Sequence, residues 1–338
     1  MQPVPSLPGP GPRGGNPSGP TVKAGEAGVI LLLVLWIIAL LSVVVLGWAQ
    51  EWRTEIKLAA NFREARQCRN LAEAGIYYAL AKLVEARFAE RQSVSAQLQT
   101  PLPPQPWGGD QRRHFLELPG GQVEVRVEDE AGKINLNRAD DKTLTQLFIA
   151  LGISEDRWRV MVDSIEDWRQ EGTQPRPYGA KSGYYLSLEP PYPVKNGPFD
   201  TVEELAWVRG FAGRALPIQL SAYLTVQGMI RQVNLNAAPL PVLLALGFPP
   251  DLAQSLVNER QFTRLQSQEV MPRLTADGRL QELIRHLSFK SSPFFTILAT
   301  GMVNNNGGAH HTIKAMVRLS PQGTPPWQII YWADDYPG

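Results

Sequence analysis

Residues 29–48 (VILLLVLWIIALLSVVVLGW) are apolar at every position but Ser42, and no charge falls between Glu26 and Glu51. Twenty such residues in a helix cover roughly 30 Å, the thickness of a bilayer's hydrocarbon core. A helix also satisfies its own backbone hydrogen bonds where lipid cannot. The run predicts a membrane-spanning helix. A buried core helix is rarely apolar on every face, and a cleaved secretory signal has a shorter apolar run ending in an A-x-A-like site. From residue 51 to about 92 the composition shifts to Ala, Leu, Glu and Arg, good helix formers. Leu58, Phe62, Ala65, Cys68, Ala72, Ile76, Ala79 and Leu83 recur there by threes and fours, one apolar stripe. Proline is absent from residues 22–100. The two segments predict one helix on the order of 90 Å long, half in lipid and half packed on a domain.

Further on the period shortens to two. Val123, Val125 and Val127 alternate with Glu124, Arg126 and Glu128, a half-buried strand. Residues 114–118, the turn Pro119-Gly120-Gly121 and residues 122–128 predict a hairpin, after a linker set by Pro101, Pro103, Pro104 and Pro106. Residues 294–303, 311–319 and 327–332 predict three more strands, with Asn304-Asn305-Asn306-Gly307-Gly308 as a turn. Residues 222–226 predict a short strand belonging to either part.

The stretch between the strands is helical and loop-rich, and it contains an echo. Lys133-Ile134-Asn135-Leu136-Asn137 leads to Leu147-Phe148-Ile149-Ala150-Leu151-Gly152. Ninety-nine residues on, Gln232-Val233-Asn234-Leu235-Asn236 leads to Leu243-Leu244-Ala245-Leu246-Gly247. Each copy predicts a short extended piece, an asparagine cap, a helix and a glycine stop. Phe199-Asp200-Thr201-Val202-Glu203-Glu204-Leu205 predicts a further helix start capped by Asp200 or Thr201. The expected class is α+β: the long N-terminal helix, an antiparallel sheet, and a large helical insertion of SAM-like or helix-hairpin-helix units. The expected boundaries are a disordered leader at 1–28, the helix at 29–100 and the first strands at 101–130. The insertion covers 131–291, with repeats at about 131–212 and 230–290, and the final strands cover 292–338.

Charge narrows the function. With 33 Lys+Arg against 32 Asp+Glu, there is no concentrated basic surface for nucleic acid. Charge leaves the orientation open: Arg13 and Lys23 precede the apolar run, and Arg53, Lys57, Arg63, Arg66 and Arg69 follow it. Cys68 is the single cysteine and makes no internal disulfide. His114, His286, His310 and His311 lack zinc spacing, and the last two are expected to be solvated. No phosphate-binding loop, dinucleotide fingerprint or nucleophile elbow occurs. A non-enzymatic protein is expected.

Two patterns remain as candidate chemistry. The asparagine units resemble helix-hairpin-helix modules, which seat a DNA phosphate on backbone N–H groups helped by Lys and Arg. The hairpins at Gly152, Gly210 and Gly247 carry little basic charge, so the asparagines are expected to be structural caps. The loop from Asp167-Trp168-Arg169-Gln170-Glu171 through Tyr184-Tyr185 to Glu189 is polar and rich in aromatics. Such a loop can hold Ca²⁺ on carboxylate and carbonyl oxygens, or can simply pack on its own rings.

Gly28-Val29-Ile30-Leu31-Leu32-Leu33-Val34-Leu35-Trp36 resembles the processing site of general secretion pathway protein K, a family of minor pseudopilins of type II secretion. Leu71-Ala72-Glu73-Ala74-Gly75, Asp129-Glu130-Ala131-Gly132-Lys133-Ile134-Asn135-Leu136-Asn137, Asp167-Trp168, Gly183-Tyr184-Tyr185 and Asn196-Gly197-Pro198-Phe199-Asp200-Thr201-Val202-Glu203-Glu204-Leu205 carry the likeness through residues 28–338. It implies a pilin-like fold, a single-pass inner-membrane anchor, a periplasmic globular part, and prepilin peptidase cleavage between Gly28 and Val29. It implies the other minor pseudopilins and the major pseudopilin as partners, in a complex at the pseudopilus tip, and no nucleic acid. The rival is a membrane-anchored helix-hairpin-helix DNA-binding protein of a competence or type IV pilus-like system. The family's calcium loop follows the Asp-Trp pair; here only Asp167, Glu171 and Glu189 remain acidic, and weak or no Ca²⁺ binding is expected. Leu33 would be the fifth residue after cleavage, where most pilins and pseudopilins carry the Glu that neutralises a neighbour's α-amino group. A subunit with nothing above it has no need of that Glu, so the resemblance assigns Leu33 an assembly role at the tip.

Overall fold

The stripe of the N-terminal helix and the alternation of the strands meet in one core. The computed structural model describes residues 24–95, 107–211, 215–228, 232–276, 281, 283–303, 308–320 and 322–337. Most of the leader, the proline linker and the turn at 304–307 lie outside them. The chain divides into two units, residues 1–62 and 63–338.

Helix α1 (Ala24–Ser95) is unbroken through both the apolar and the amphipathic segments, as the absence of proline requires. In the first unit the large apolar side chains of residues 29–48 are exposed, Leu33 at 56% and Trp36 at 73%. Ser42, the one polar residue there, turns its hydroxyl inward and donates to the Ile38 carbonyl at 2.7 Å. This helix is long and apolar enough to cross a membrane.

In the second unit, strands β1 (Asp110–Leu118) and β2 (Gly121–Asp129) form the expected hairpin, with Leu118 opposite Gly121. The chain then leaves the sheet. It forms β3 (Ile134–Asn135), α2 (Asp141–Ala150), α3 (Glu155–Arg169), α4 (Ser182–Tyr185), α5 (Ala215–Leu220) and β4 (Leu224–Thr225). Strand β5 (Val233–Asn234), α6 (Leu240–Leu246), α7 (Pro250–Glu259), α8 (Ser267–Ala276) and β6 (Leu287–Ser288) follow. The chain rejoins the sheet with β7 (Phe294–Met302), β8 (His310–Leu319) and β9 (Trp327–Ala333). The sheet is antiparallel, in the order β1-β2-β7-β8-β9. The short strand expected at 222–226 is β4, and it pairs in parallel with β3 rather than with the sheet.

Period-two alternation buries Val123, Val125, Val127, Phe295, Ile297, Ala299, Ile313, Ala315 and Val317 on one sheet face. Register sets large against small, Val125 opposite Ala299 and Ile297 opposite Ala315. The helical stripe covers this face from Cys68 to Leu83, whereas Leu58 and Phe62, counted in the same stripe, are exposed. Periodicity marks a face; only the sheet beneath it decides burial. Contact is close because glycines line it. A Cβ on Gly75 would meet Val123 Cγ1 at 2.6 Å, and one on Gly301 would collide with the Cys68 carbonyl and the Ala72 nitrogen.

Gly301→Val should therefore push α1 off the sheet and cost about 1–3 kcal/mol, read as a lowered denaturation midpoint of the full chain in detergent. Gly183→Ala, where a Cβ meets nothing within 4 Å, should change stability by no more than about 0.5 kcal/mol. Equal effects would refute the close-contact account.

Candidate functional site

The Asp129-Glu130-Ala131-Gly132-Lys133 motif sits where the chain leaves the sheet, and its charges are buried. The Asp129 carboxylate accepts from Ala131 N at 2.9 Å, Asn234 Nδ2 at 3.1 Å, Ser291 Oγ at 2.6 Å and Ser292 N at 3.2 Å and Oγ at 2.7 Å. Burial pushes its pKa up, and these donors pull it down. Lys133 Nζ lies 2.7 Å from both Glu128 Oε2 and Glu130 Oε1, and Thr296 Oγ1 donates to Glu130 at 2.7 Å. Gly132 has no room for a side chain, since a Cβ there would meet the Ala237 carbonyl carbon at 2.6 Å. On the same sheet face, Lys314 Nζ donates to Glu203 Oε1 at 2.5 Å.

The sequence echo is also an echo of bonds. Asn137 accepts from Phe199 N at 2.7 Å and donates to its carbonyl at 2.9 Å. Asn236 does the same to Leu265, at 2.8 and 3.0 Å. The Arg169 guanidinium donates to the Leu136 and Ala139 carbonyls, and Arg260 donates to those of Leu235 and Ala238. The parallel pairs β3–β4 and β5–β6 complete the match. The expected helix caps are corrected: the cap of α2 is Asp140, whose carboxylate accepts from Thr143 N, and Pro239 stands at that place in α6. Asn137 and Asn236 strap distant backbone instead. One difference separates the copies. Phe199 follows Arg169 by thirty positions, whereas Leu265 follows Arg260 by five.

Those extra residues are the polar loop. Lys181, only 5% exposed, points its ammonium into it and donates to Asp167 O at 2.5 Å, Gln170 O at 2.6 Å and Asn196 Oδ1 at 2.9 Å. Burial draws the Lys181 pKa down, against the pull of Asp167. The Asp167 carboxylate accepts from Arg176 N at 3.0 Å; burial pushes its pKa up, against that donor and the nearby Lys181 and Arg176. Glu204 accepts from Trp168 Nε1 at 2.6 Å and from Lys195 Nζ at 2.8 Å. Rings close the loop: Trp168–Tyr185 at 5.1 Å, Tyr185–Tyr192 at 5.5 Å and Tyr192–Trp207 at 5.3 Å.

Of the three acidic candidates for calcium, Asp167 is buried, while Glu171 and Glu189 are exposed. Among the described residues no three His, Cys, Asp or Glu side chains come together as a metal would need. A hard cation wants six to eight oxygens around it. The inward-facing oxygens of this loop already surround a positive charge, so these residues do not fit Ca²⁺. Gly28 and Val29 lie inside α1, and Val29 is exposed, as is Leu33. His311, expected in solvent, instead bonds Asp334 Oδ1 through Nε2 at 2.6 Å, and Arg69 of α1 binds Asp334 Oδ2 at 2.7 Å.

A long N-terminal helix, apolar at its start and laid on an antiparallel sheet further on, defines a pilin-like protein. A family model described as type II secretion system (T2SS), protein K, matches residues 127–227. The type II secretion system protein K of Pseudomonas aeruginosa is 26% identical over 259 residues, 73% of this chain and 76% of that one. The crystal structure of the GspK-GspI-GspJ complex from the enterotoxigenic Escherichia coli type 2 secretion system holds a chain with the same fold. It has a TM-score of 0.53 and 19% identity, and the match covers 78% of this chain and 96% of that one. Both sequence likenesses are to the family that the sequence motifs resemble, type II secretion system protein K, and they support the function of a minor pseudopilin of type II secretion.

Sequence reading passed over Arg169 and Arg260 because they lie 91 residues apart, off the spacing of 99 that relates the asparagines. Lys181 lies in a loop judged there by its acidic residues alone. Lys133 was inside a motif whose charges gave no sign of burial.

Lys133 supplies a further test. Burial alone would lower its pKa, but Glu128 and Glu130 hold it above the ordinary lysine value. With the folded pKa raised, its contribution is fully present below the ordinary value and is lost only as pH rises through the raised one. Lys133→Met strands two buried carboxylates and should cost about 3–5 kcal/mol, constant through neutral pH. Denaturant midpoints at several pH values check this; a deficit that vanishes at neutral pH would refute it.

Proposed function

We propose that this minor pseudopilin caps the pseudopilus, anchored by α1 in the inner membrane with residues 63–338 in the periplasm. The apolar, exposed surface of residues 29–48 supports the anchor. Prepilin peptidase cuts between Gly28 and Val29, leaving the Val29 α-amino group within the apolar zone. An unpaired charge there costs several kcal/mol or more, so it requires a partner. Leu33 carries the reading. It offers no carboxylate to a subunit above and places no demand for one, as suits the first subunit in line. The related Escherichia coli chain was solved with GspI and GspJ, and smaller pseudopilins of that kind are the partners proposed here. One of them supplies the carboxylate that meets Val29. The segment 131–291 is an inserted helical domain made of two copies of one asparagine-strapped unit, and its bulk suits an end rather than a shaft.

Cys68, the only cysteine, is buried, and burial pushes its thiol pKa up, so a cysteine introduced at residue 33 is the reactive one. Leu33→Cys should cross-link to smaller pseudopilins within the secretion machine and not to copies of itself. Ladders of self-cross-links would overturn the tip position. The mass of the mature N-terminal peptide should begin at Val29; any other start would overturn the processing site.

A further inference from the structure

We propose that Lys181 is a built-in cation: it orders the 167–200 loop in the way a bound divalent ion would, and the loop holds its fold without one. Three observations carry this. An ammonium has three N–H donors and no acceptor, and the three oxygens nearest Lys181 Nζ are two backbone carbonyls and a side-chain amide oxygen, at 2.5–2.9 Å. Those are atoms that hard cations use as ligands. They come from both ends of the loop, Asp167 and Gln170 at its start and Asn196 near its close, so one charge joins them. Gly197 N donates to the Trp168 carbonyl at 3.2 Å beside it, a second tie between the same two ends.

The surroundings favour a single charge over a double one. Arg176 lies alongside, 2.6 Å from Asp141 and 3.8 Å from Asp163 and Glu166, and its backbone N–H already takes the Asp167 carboxylate. Gly179 packs so tightly on that carboxylate that no Cβ fits between them. A divalent ion would have to displace the ammonium and turn the Asp167 carboxylate away from the Arg176 N–H. The second asparagine-strapped unit, where only four residues separate Arg260 from Leu265, has no such loop and no lysine there. The ammonium therefore goes with the loop and not with the unit that carries it.

Hydrogen exchange on the full chain in detergent micelles tests this, following amides 170–198 with those of β7 as a reference. In the wild type the loop should exchange at the same rate in millimolar EGTA as in millimolar Ca²⁺, within about twofold. Lys181→Met keeps the apolar stem and removes the donors; loop exchange should quicken at least about tenfold while β7 stays protected. Loop protection that is lost in EGTA would overturn the proposal, and so would a Lys181→Met loop as protected as wild type. Should Lys181→Met fail to fold, the wild-type comparison alone still decides whether a divalent ion is needed. Lys181→Asp gives a third arm: with the ammonium gone and a carboxylate added, loop protection should now rise with Ca²⁺, and protection independent of Ca²⁺ would count against the proposal. None of these readouts depends on where the subunit sits in the pseudopilus.

Discussion

A carboxylate buried at the end of a strand must find donors, and the rest of the second unit is arranged around that need. Asp129 closes β2, and its donors come from Ala131, from Asn234 far along the chain, and from Ser291 and Ser292 just before β7. The first residues of the excursion, its middle and its last residues are thus all fixed on one group. Lys133 and the two glutamates beside it add a second buried set, whose worth lies in specificity: breaking it leaves charge stranded, so few alternative packings compete. Thr296 on β7 and Lys314 on β8 extend the network across the outer face of the sheet.

The two faces of the sheet divide the labour. The face toward α1 is apolar and glycine-lined, and it is held by packing, with Gln67, Cys68 and Arg69 adding bonds at its margin. The opposite face carries Glu128, Thr296, Thr312 and Lys314, buried and polar, and it grips the helical stretch by charge and hydrogen bonds. Tight, undirected packing fixes how closely a helix lies. Directed bonds fix which segment of a long excursion lies against which strand.

Periodicity made the framework legible: the apolar run, the β2 alternation and the three last strands fall where the pattern puts them, within a residue or two. Strand alternation also told the inner face correctly, because a pleat leaves no choice. What the sequence hid was tertiary pairing. Leu58 and Phe62 share a stripe with Ile76 but are exposed. Asn137 and Asn236 look like caps by position, yet their partners stand 62 and 29 residues away, beyond any local rule. The loop was read by its carboxylates, the usual currency of a cation site, while the deciding residue was a lysine. A charge of the wrong sign in a motif is easily taken as loss when it is replacement.

The chain leaves the sheet at Asp129 and comes back at Ser291 and Ser292, bonded to the same carboxylate. An excursion of more than 160 residues thus begins and ends at a single point. Closing a longer loop costs only slowly more entropy, and here the closure is borne by the bonds from Ser291 and Ser292 to Asp129 beside the pairing of β2 with β7. The geometry amounts to a socket. Residues can be added to or taken from what hangs on it, as the extra loop between Arg169 and Phe199 already illustrates, without moving β2 relative to β7 or disturbing the helix laid across them. A lineage is free to reshape the outer surface of such a subunit while the part that must fit its neighbours stays constant.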